Sequence, residues 1–302
     1  MHIVNEVYSR IVSIAGNIFF WMGLLGIVIA VIETIRLRHL QRTSDKFSHK
    51  KIAVITGASS GLGRGYVRAL KDQMEKFDID EFWLIARSED KLKALSDEIQ
   101  VPAKVLPADL TKEASFDLIK KQLESGNYQV SLLINCAGFG LSGTTEQIGN
   151  DGEQQMIALN DSATVAMIHV CLPYMKAGSR IVNIASIAAF QSLKGFNTYS
   201  ASKAFVLSYS RALRQELSHE KITVTAICPY WIRDTGFIET ASGHKSSPFL
   251  STKTETIVRR SLRTIYRRGL VSTPSIVSFL DFLIGPLLPD NVLSRISSIL
   301  RV

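Results

Sequence analysis

Short apolar runs alternate with longer amphipathic stretches between residues 51 and 228, and this pattern restricts the fold more than any other feature. The apolar runs have the character of strands that are buried on both faces. They are Ile52–Thr56, Phe82–Ala86, Lys104–Pro107, Leu132–Cys136, Ile181–Ala185 and Thr223–Cys228. Helical periodicity lies between them, at about 61–76, 88–100, 112–125, 152–177 and 198–219. The alternation predicts one α/β domain, 51–275, with a Rossmann-type, doubly wound parallel sheet.

A glycine-rich turn, Thr56 to Gly63, connects the first predicted strand to the first predicted helix. Glycines at such a turn allow the backbone N–H groups of a helix N-terminus to approach a pyrophosphate. We therefore expect a dinucleotide cofactor here. The predicted contacts are Gly57, Ser59, Ser60, Gly61, Leu62 and Gly63.

Arg87 follows the second predicted strand, where folds that prefer NAD place an acidic residue against the ribose hydroxyls. An arginine at this position can bind a 2′-phosphate through charge-assisted hydrogen bonds. The sequence therefore favours NADP(H) over NAD(H). The alternative is that Arg87 is a solvated surface charge.

Tyr199 and Lys203 are four residues apart in the helix predicted over 198–219, so they share a face. An ammonium beside a phenol stabilises the phenolate, and we expect it to lower the pKa of Tyr199. Tyr199 could then act as a general acid in carbonyl reduction and as a base in the reverse direction.

Taken together, these motifs resemble the short-chain dehydrogenase/reductase family over residues 50–230. The family motif TGxxxGxG matches Thr56 to Gly63, and YxxxK matches Tyr199 and Lys203. A serine, Ser186, precedes the tyrosine by 13 residues, as in the family. Asn-Cys-Ala-Gly at 135–138 matches the NNAG motif with one substitution.

The resemblance implies a role for each matching residue. The catalytic residues would be Asn160, Ser186, Tyr199 and Lys203, with Asn160 holding a proton-relay water. Further cofactor contacts would be Asp109 near the adenine, Leu110, Asn135, Ala137, Gly138, Tyr199, Lys203, Pro229 and Ile232. Substrate contacts would be Ser186, Tyr199, Phe139, Trp231 and Phe237. The resemblance also implies a homo-oligomer, either a dimer or a tetramer.

Two departures from the family pattern follow the sixth predicted strand. Pro229-Tyr230 stands where many members have Pro-Gly, and it resembles the membrane-anchored hydroxysteroid dehydrogenases and long-chain β-ketoacyl-CoA reductases. The threonine that usually contacts the nicotinamide carboxamide is displaced, with Asp234 at its position and Thr235 one residue later. The cofactor contact at this point is therefore an open question.

The N-terminal segment, 1–32, contains an uncharged run of 22 residues, Ile11 to Ile32. A helix of this length rises about 33 Å, enough to span a bilayer. We expect an uncleaved membrane anchor, and the alternatives are a signal peptide or a buried core helix. The basic linker, 33–50, leads to Lys51, and from Glu33 to Lys51 six basic residues outnumber two acidic ones. This bias predicts a single-pass protein with a cytoplasmic catalytic domain.

The net charge of +8 does not indicate nucleic acid, because much of it lies in the juxtamembrane linker and in an arginine block at 259–268. Membrane lipid is the expected partner of these charges. Three widely spaced cysteines show no pairing or metal-ligand spacing, so we expect neither a disulfide nor a metal.

Two segments outside the motifs bear on the substrate. The periodicity fails over 232–254, where we expect a substrate lid, with a disordered surface loop as the alternative. The apolar C-terminal segment, 276–302, is interrupted by charges and prolines, so we expect it to face a membrane or a partner subunit rather than to span the bilayer.

The expected activity is NADP(H)-dependent interconversion of a ketone and a secondary alcohol on an apolar substrate of the steroid or fatty-acyl type. Two alternatives stay open at this point. One is a reductase of small carbonyl compounds or xenobiotics, and the other is a membrane protein that binds a dinucleotide without catalysis.

Overall fold

The computed structural model describes residues 32–33, 49–242 and 250–284. The chain divides into two units, 1–45 and 46–302, and almost all described residues belong to the second. The predicted anchor (except Ile32), most of the basic linker and the segment from 285 onward lie outside the described residues.

A seven-stranded parallel sheet forms the centre of the second unit, with the strand order β3-β2-β1-β4-β5-β6-β7. The strands are β1 (Lys50–Thr56), β2 (Glu81–Ala86), β3 (Ala103–Pro107), β4 (Tyr128–Asn135), β5 (Arg180–Ile184), β6 (Thr223–Ile227) and β7 (Val271–Ser272). The predicted single-domain, Rossmann-like α/β fold is confirmed. Only the two-residue β7 was not predicted, because so short a strand has no periodicity of its own.

Helices connect the strands and cover both faces of the sheet. They are α1 (Gly61–Leu70), α2 (Met74–Phe77), α3 (Glu89–Ile99), α4 (Glu113–Glu124), α5 (Thr145–Ile157), α6 (Ala163–Cys171), α7 (Asn197–Glu216), α8 (Phe237–Ser242), α9 (Thr254–Tyr266) and α10 (Ile276–Ile284). A π-helical turn, Ala158–Ser162, joins α5 to α6. The range of α5 begins seven residues before the predicted helix start at 152, because Thr144 and Gln147 form a capping box ahead of a first turn. Gly149, with a φ of +70°, is not helical, so a kink separates this first turn from the helical residues that follow.

Alternate residues of β1 belong to two hydrophobic layers. Ala53 and Ile55 pack in the layer that contains residues of α1 and α9, and Ile52 and Val54 pack in the layer that contains residues of α4, α6 and α7. All four side chains are fully buried. Each large side chain of this kind contributes about 1.5–3 kcal/mol to folding, so the two layers fix β1 in the middle of the sheet.

The helical stretch Thr145–Tyr174 is long and apolar enough to cross a membrane by length and composition alone. Its second half belongs to the domain core, however, because Met167, Ile168 and Cys171 are buried in the layer beneath the sheet. This stretch is therefore weak evidence for a membrane span.

The strand order reverses between β1 and β4, because the chain leaves β1 for β2 on one side and returns to β4 on the other. In open parallel sheets a crevice forms at such a point, at the carboxyl ends of the strands. The candidate site lies there.

Candidate active site

A cavity of about 550 Å³ lies at the carboxyl ends of the strands. Its wall includes the glycine turn, the ends of β2, β4, β5 and β6, and the segment around α8. Every predicted site residue except Asn135 and Asn160 lines this cavity.

Backbone atoms pack closely against two glycines of the glycine turn, Gly57 and Gly63. Gly57 has a φ of +68°, and a Cβ added to it would lie 2.9 Å from the backbone nitrogen of Ala137. A Cβ on Gly63 would lie 2.3 Å from the carbonyl oxygen of Gly57. The hydroxyl oxygen of Thr56 accepts hydrogen bonds from the N–H groups of Cys136 and Ala137, both at 3.0 Å. Side chains are therefore excluded where a pyrophosphate would bind, and the residues present fit a dinucleotide.

The rim beside β2 and β3 carries both signs of charge. Arg87 is exposed at the rim, and Lys91, which was not predicted, lines the same wall from the first turn of α3. One carboxylate oxygen of Asp109 accepts hydrogen bonds from the backbone N–H (3.0 Å) and hydroxyl (2.8 Å) of Thr111. These two bonds, together with the charge of Arg87, hold the pKa of Asp109 below its ordinary value. Asp109 is therefore anionic and fixed in orientation.

Tyr199, Ser186 and Lys203 converge on the middle of the cavity. The phenol of Tyr199 is buried, and the Ser186 side chain lines the same part of the cavity. Ser186 follows β5, and its hydroxyl oxygen accepts the N–H of Ala188 at 3.2 Å. The ammonium of Lys203 donates to the carbonyl oxygen of Ile184 at 2.9 Å and lies 5.7 Å from the centre of the Tyr199 ring. The three residues form one polar cluster inside an apolar wall.

The expected lowering of the Tyr199 pKa is wrong. Burial raises the pKa of the phenol to about 12, and the Ser186 side chain offsets only part of that effect. Burial also lowers the pKa of the Lys203 ammonium to about 8. The ammonium contacts the Ile184 carbonyl, and loss of hydration disfavours the phenolate. Tyr199 is therefore a protonated phenol near neutral pH, the form that donates a proton.

Asn160 lies outside the cavity and holds two of the segments that form its wall. Its side-chain oxygen accepts the backbone N–H of Phe139, and its side-chain nitrogen donates to the carbonyl oxygen of Phe139, both at 3.0 Å. The same nitrogen also donates to the hydroxyl oxygen of Ser202 at 3.1 Å. Asn160 thus connects the loop after β4 to the turn of α7 that carries Lys203, but its own side chain does not line the cavity.

Asn135 does not reach the predicted cofactor site. Its side-chain nitrogen donates to the side-chain oxygen of Asn183 at 2.9 Å, and the nitrogen of Asn183 donates to Ser210 at the same distance. All three residues are buried. Because β4 and β5 pair in register at 135 and 183, the amide of Asn135 links strands instead of facing the cavity.

Aromatic rings form the other end of the cavity. The predicted substrate contacts Phe139, Trp231 and Phe237 line it, as does Phe196, which was not predicted. The Phe196 ring lies 5.8 Å from that of Tyr199 and 5.9 Å from that of Trp231, and Phe237 lies 5.5 Å from Tyr199. The edge-on arrangement makes a rigid apolar compartment beside the phenol. Phe196 gave no sequence signal, because it stands just before α7, outside any motif.

The predicted lid segment, 232–254, is joined at its two ends, and its residues 243–249 lie outside the described residues. Ile232 and Thr252 form a parallel bridge, and the N–H of Thr252 donates to the carbonyl oxygen of Trp231 at 2.9 Å. Asp234 accepts hydrogen bonds from the N–H (2.7 Å) and hydroxyl (2.8 Å) of Thr254 at the start of α9. Thr235, not Asp234, lines the cavity, so Asp234 has a structural role.

Cys136, Cys171 and Cys228 are free thiols, and Cys136 lines the cavity. Within 49–242 and 250–284, no three His, Cys, Asp or Glu side chains are grouped as metal ligands.

The family model for short chain dehydrogenases matches residues 51–245, nearly two thirds of the sequence. The chain belongs to the short-chain dehydrogenase family. It is therefore an oxidoreductase with a Rossmann-like domain, and the glycine turn and the Tyr199–Lys203 pair lie inside the matched region.

Relatives of this short-chain dehydrogenase include uncharacterised oxidoreductases of staphylococci. The one from Staphylococcus epidermidis strain RP62A is 30% identical over 182 residues, which is 60% of this chain and 77% of the relative. The one from Staphylococcus saprophyticus is 35% identical over 186 residues, which is 59% of this chain and 77% of the relative.

Among solved structures, a short-chain dehydrogenase from Sphingobium yanoikuyae in complex with NADPH is 29% identical, with a TM-score of 0.68. It is matched over 81% of this chain and 95% of its own. A bulky-bulky ketone specific alcohol dehydrogenase from Comamonas testosteroni is 25% identical, with a TM-score of 0.63 and coverage of 78% and 92%. A member from Burkholderia phymatum in complex with NAD is 20% identical, with a TM-score of 0.67 and coverage of 78% and 92%, which is a likeness of fold alone.

Proposed function

We propose that this short-chain dehydrogenase uses NADP(H) to interconvert a ketone and a secondary alcohol on a bulky, apolar substrate. One observation carries the proposal. The cluster of Ser186, Tyr199 and Lys203 lies between a glycine cradle and an aromatic compartment, within one cavity.

In this proposal each polar side chain has a separate task. The nicotinamide ring supplies or accepts a hydride when the cofactor is bound. The buried phenol of Tyr199 donates its proton to the carbonyl oxygen, and the raised pKa keeps that proton in place until a substrate arrives. The Ser186 hydroxyl, which lines the same cavity as Tyr199, orients the same oxygen. Lys203 supplies positive charge behind the phenol as negative charge develops on it.

Charge at the adenine end supports NADP(H). Arg87 and Lys91 lie on the same wall of the cavity, where a 2′-phosphate would add two negative charges. The carboxylate of Asp109 is held by Thr111, so it does not neutralise the arginine through a direct ion pair. The Sphingobium relative, whose structure contains NADPH, is consistent with this choice.

The aromatic compartment supports a bulky apolar substrate. Phe139, Phe196, Trp231 and Phe237 present ring faces and edges beside the phenol. A steroid or fatty-acyl ketone would remove these surfaces from water, whereas a small aldehyde would leave much of them exposed. The Comamonas relative, described as specific for bulky-bulky ketones, agrees with this class.

We further propose that the enzyme is a single-pass membrane protein and a homo-oligomer, with its catalytic domain in the cytoplasm. The uncharged run at 11–32 and the basic residues that follow it support the anchor. Helix α10 supports contact with lipid, because Ile276, Phe279, Leu280 and Leu283 follow helical spacing and are each 48–68% exposed. The Phe282 ring lies 5.5 Å from that of Phe190, next to the cavity wall at Ile187 and Ala188. An apolar substrate could therefore enter from a membrane.

The test is oxidation of NADPH, with NADH in parallel, by detergent-solubilised full-length protein. The panel contains steroid ketones, long-chain β-ketoacyl thioesters and small aldehydes. We expect turnover of one apolar class, a preference for NADPH and loss of at least about 10²-fold in kcat for Tyr199→Phe, with cofactor affinity retained. Turnover of small aldehydes alone would refute the substrate class. Equal turnover by Tyr199→Phe would refute the mechanism.

A further inference from the structure

Two arginines are buried at the edge of the sheet opposite the cavity, where the parallel strands begin. Arg180 is the first residue of β5 and is 7% exposed. Arg268 lies between α9 and β7 and is 2% exposed, whereas the other four arginines of the block at 259–268 are exposed. A guanidinium keeps its charge across the physiological pH range, so two positive charges are enclosed here.

Contacts on two sides place both guanidinium groups in one cluster. On one side, Nη2 of Arg268 donates to the carbonyl oxygen of Gly178 at 3.2 Å, and Gly178 is two residues before Arg180. On the other side, Cζ of Arg180 lies 5.6 Å from the centre of the Phe77 ring. The ring of Tyr266, two residues before Arg268, lies 6.0 Å from that of Phe77. The fold therefore holds the two like charges in the same region.

No acidic side chain within the described residues forms an ion pair with Arg180 or Arg268. Nε of Arg180 and both Nε and Nη1 of Arg268 are buried without a hydrogen-bond partner in this part of the chain. Asp78 favours the charged form of Arg180, but its carboxylate is paired with Lys51 at 2.6 Å and is 53% exposed. Burial, followed by the charge of Arg268, lowers the pKa of Arg180 to about 10. Enclosed charges without a partner destabilise a fold strongly, so an anion bound here would stabilise it.

Gly178 leaves space beside the Arg268 guanidinium. Among the described residues other than its chain neighbours, a Cβ built on Gly178 would meet only Nη2 of Arg268 within 4 Å, at 3.7 Å. Gly178 is partly exposed, so an anion can reach the guanidinium from this side. Lys176 and Lys221 are exposed beside it, and the N–H of Gly178 donates to the carbonyl oxygen of Lys221 at 3.0 Å. Their positive charge favours the approach of an anion to this turn.

We propose that Arg180 and Arg268 form a binding site for a phosphate group, which is supplied either by an anionic lipid headgroup or by free phosphate. The planar N–H donors of a guanidinium bind two phosphate oxygens at once. Two guanidinium groups also match the double charge of a phosphate monoester better than the single charge of a carboxylate. The site is separate from the cofactor cavity, because Arg180 begins β5 whereas the cavity meets β5 at its last residue, Ile184. It is also independent of the proposed activity.

The first experiment is thermal denaturation of the full-length protein in phosphate-free, non-ionic detergent. The additions are sodium phosphate, or phosphatidic acid in the micelles, with sodium chloride and phosphatidylcholine as the matched controls. We expect one phosphate source or both to raise Tm by at least about 2 °C in the wild type and in Arg267→Gln, which removes an exposed neighbouring charge. Neither Arg180→Gln nor Arg268→Gln should show this rise.

The two arms of the experiment distinguish the sources. A rise with sodium phosphate alone identifies free phosphate as the ligand, and a rise with phosphatidic acid alone identifies the headgroup. No rise with either source would overturn the proposal. An equal rise in Arg180→Gln and Arg268→Gln would also overturn it, because the anion would then bind elsewhere, for example at the glycine turn.

A second variant tests the charge argument without any ligand. Arg180→Met keeps an apolar contact with the Phe77 ring but removes one of the two buried charges. In phosphate-free detergent we expect its Tm to lie no more than about 2 °C below that of the wild type, or above it, because the repulsion between like charges is removed. A larger fall would show that the fold itself compensates the charge of Arg180, and the proposal would be refuted.

Discussion

Gly140 provides a sharp test of how closely the catalytic tyrosine is positioned. A Cβ at this residue would lie 2.8 Å from Cδ2 of Tyr199 and 3.0 Å from Cζ of Phe237. Carbon atoms in favourable contact are about 3.5–4.0 Å apart, so Gly140→Ala would require a displacement of about 0.7–1.2 Å. The Tyr199 ring has little room to yield, because it packs between Phe196 and Phe237.

A displacement of about 1 Å in a reacting group can reduce a rate by about 10²-fold. We therefore expect Gly140→Ala to lower kcat by about 10- to 100-fold and to destabilise the fold by about 1–3 kcal/mol through overpacking. Cofactor affinity should change by less than about twofold, since Gly140 does not line the cavity.

The assay is steady-state reduction of the preferred ketone at saturating NADPH, with cofactor affinity measured by fluorescence titration and folding by thermal denaturation. Gly236→Ala is the matched control, because a Cβ there meets nothing within 4 Å and we expect nearly wild-type turnover. A kcat for Gly140→Ala within about twofold of wild type would show that the tyrosine tolerates the displacement, and the positional argument would be refuted.

Three further outcomes are expected. Arg87→Asp should raise the ratio of kcat/KM for NADH to kcat/KM for NADPH at least about tenfold, because a carboxylate repels the 2′-phosphate. An unchanged ratio would show that Arg87 does not bind the 2′-phosphate. Tyr66→Phe should lower the free energy of unfolding by about 0.5–1.5 kcal/mol, because the phenol shares a buried 2.7 Å hydrogen bond with Ser261; no change in chemical denaturation would contradict this. Phe279→Ser with Leu280→Ser should weaken liposome binding by the domain lacking 1–45, and equal co-flotation would exclude α10 as the lipid contact.

Local features of this site were predictable from the sequence because neighbouring residues create them. The glycine cradle depends on backbone conformations within one turn, as the φ of Gly57 illustrates. The joint placement of Tyr199 and Lys203 depends only on helical spacing. The positions of the first six strands along the chain followed from the alternation of apolar runs and amphipathic stretches.

Features created by contacts between distant segments were not predictable. Asn135 bonds to Asn183 because two strands pair in a register that no local pattern records. Phe196 joins the aromatic compartment only when the chain after β6 brings Trp231 beside it. The direction in which the Tyr199 pKa shifts depends on how completely the phenol is removed from water. That burial is a property of the assembled cavity.

The two ends of the lid segment are joined, and this affects how the substrate specificity of the enzyme can change. The bridge between Ile232 and Thr252, with the bond between Asp234 and Thr254, brings the two ends of the segment together before it meets the substrate. Thr235 lies against Gly61 of the glycine turn, so only the residues that follow it can be exchanged without disturbing the glycine cradle. Transplanting residues 236–251 between relatives is therefore a direct route to new substrate specificities.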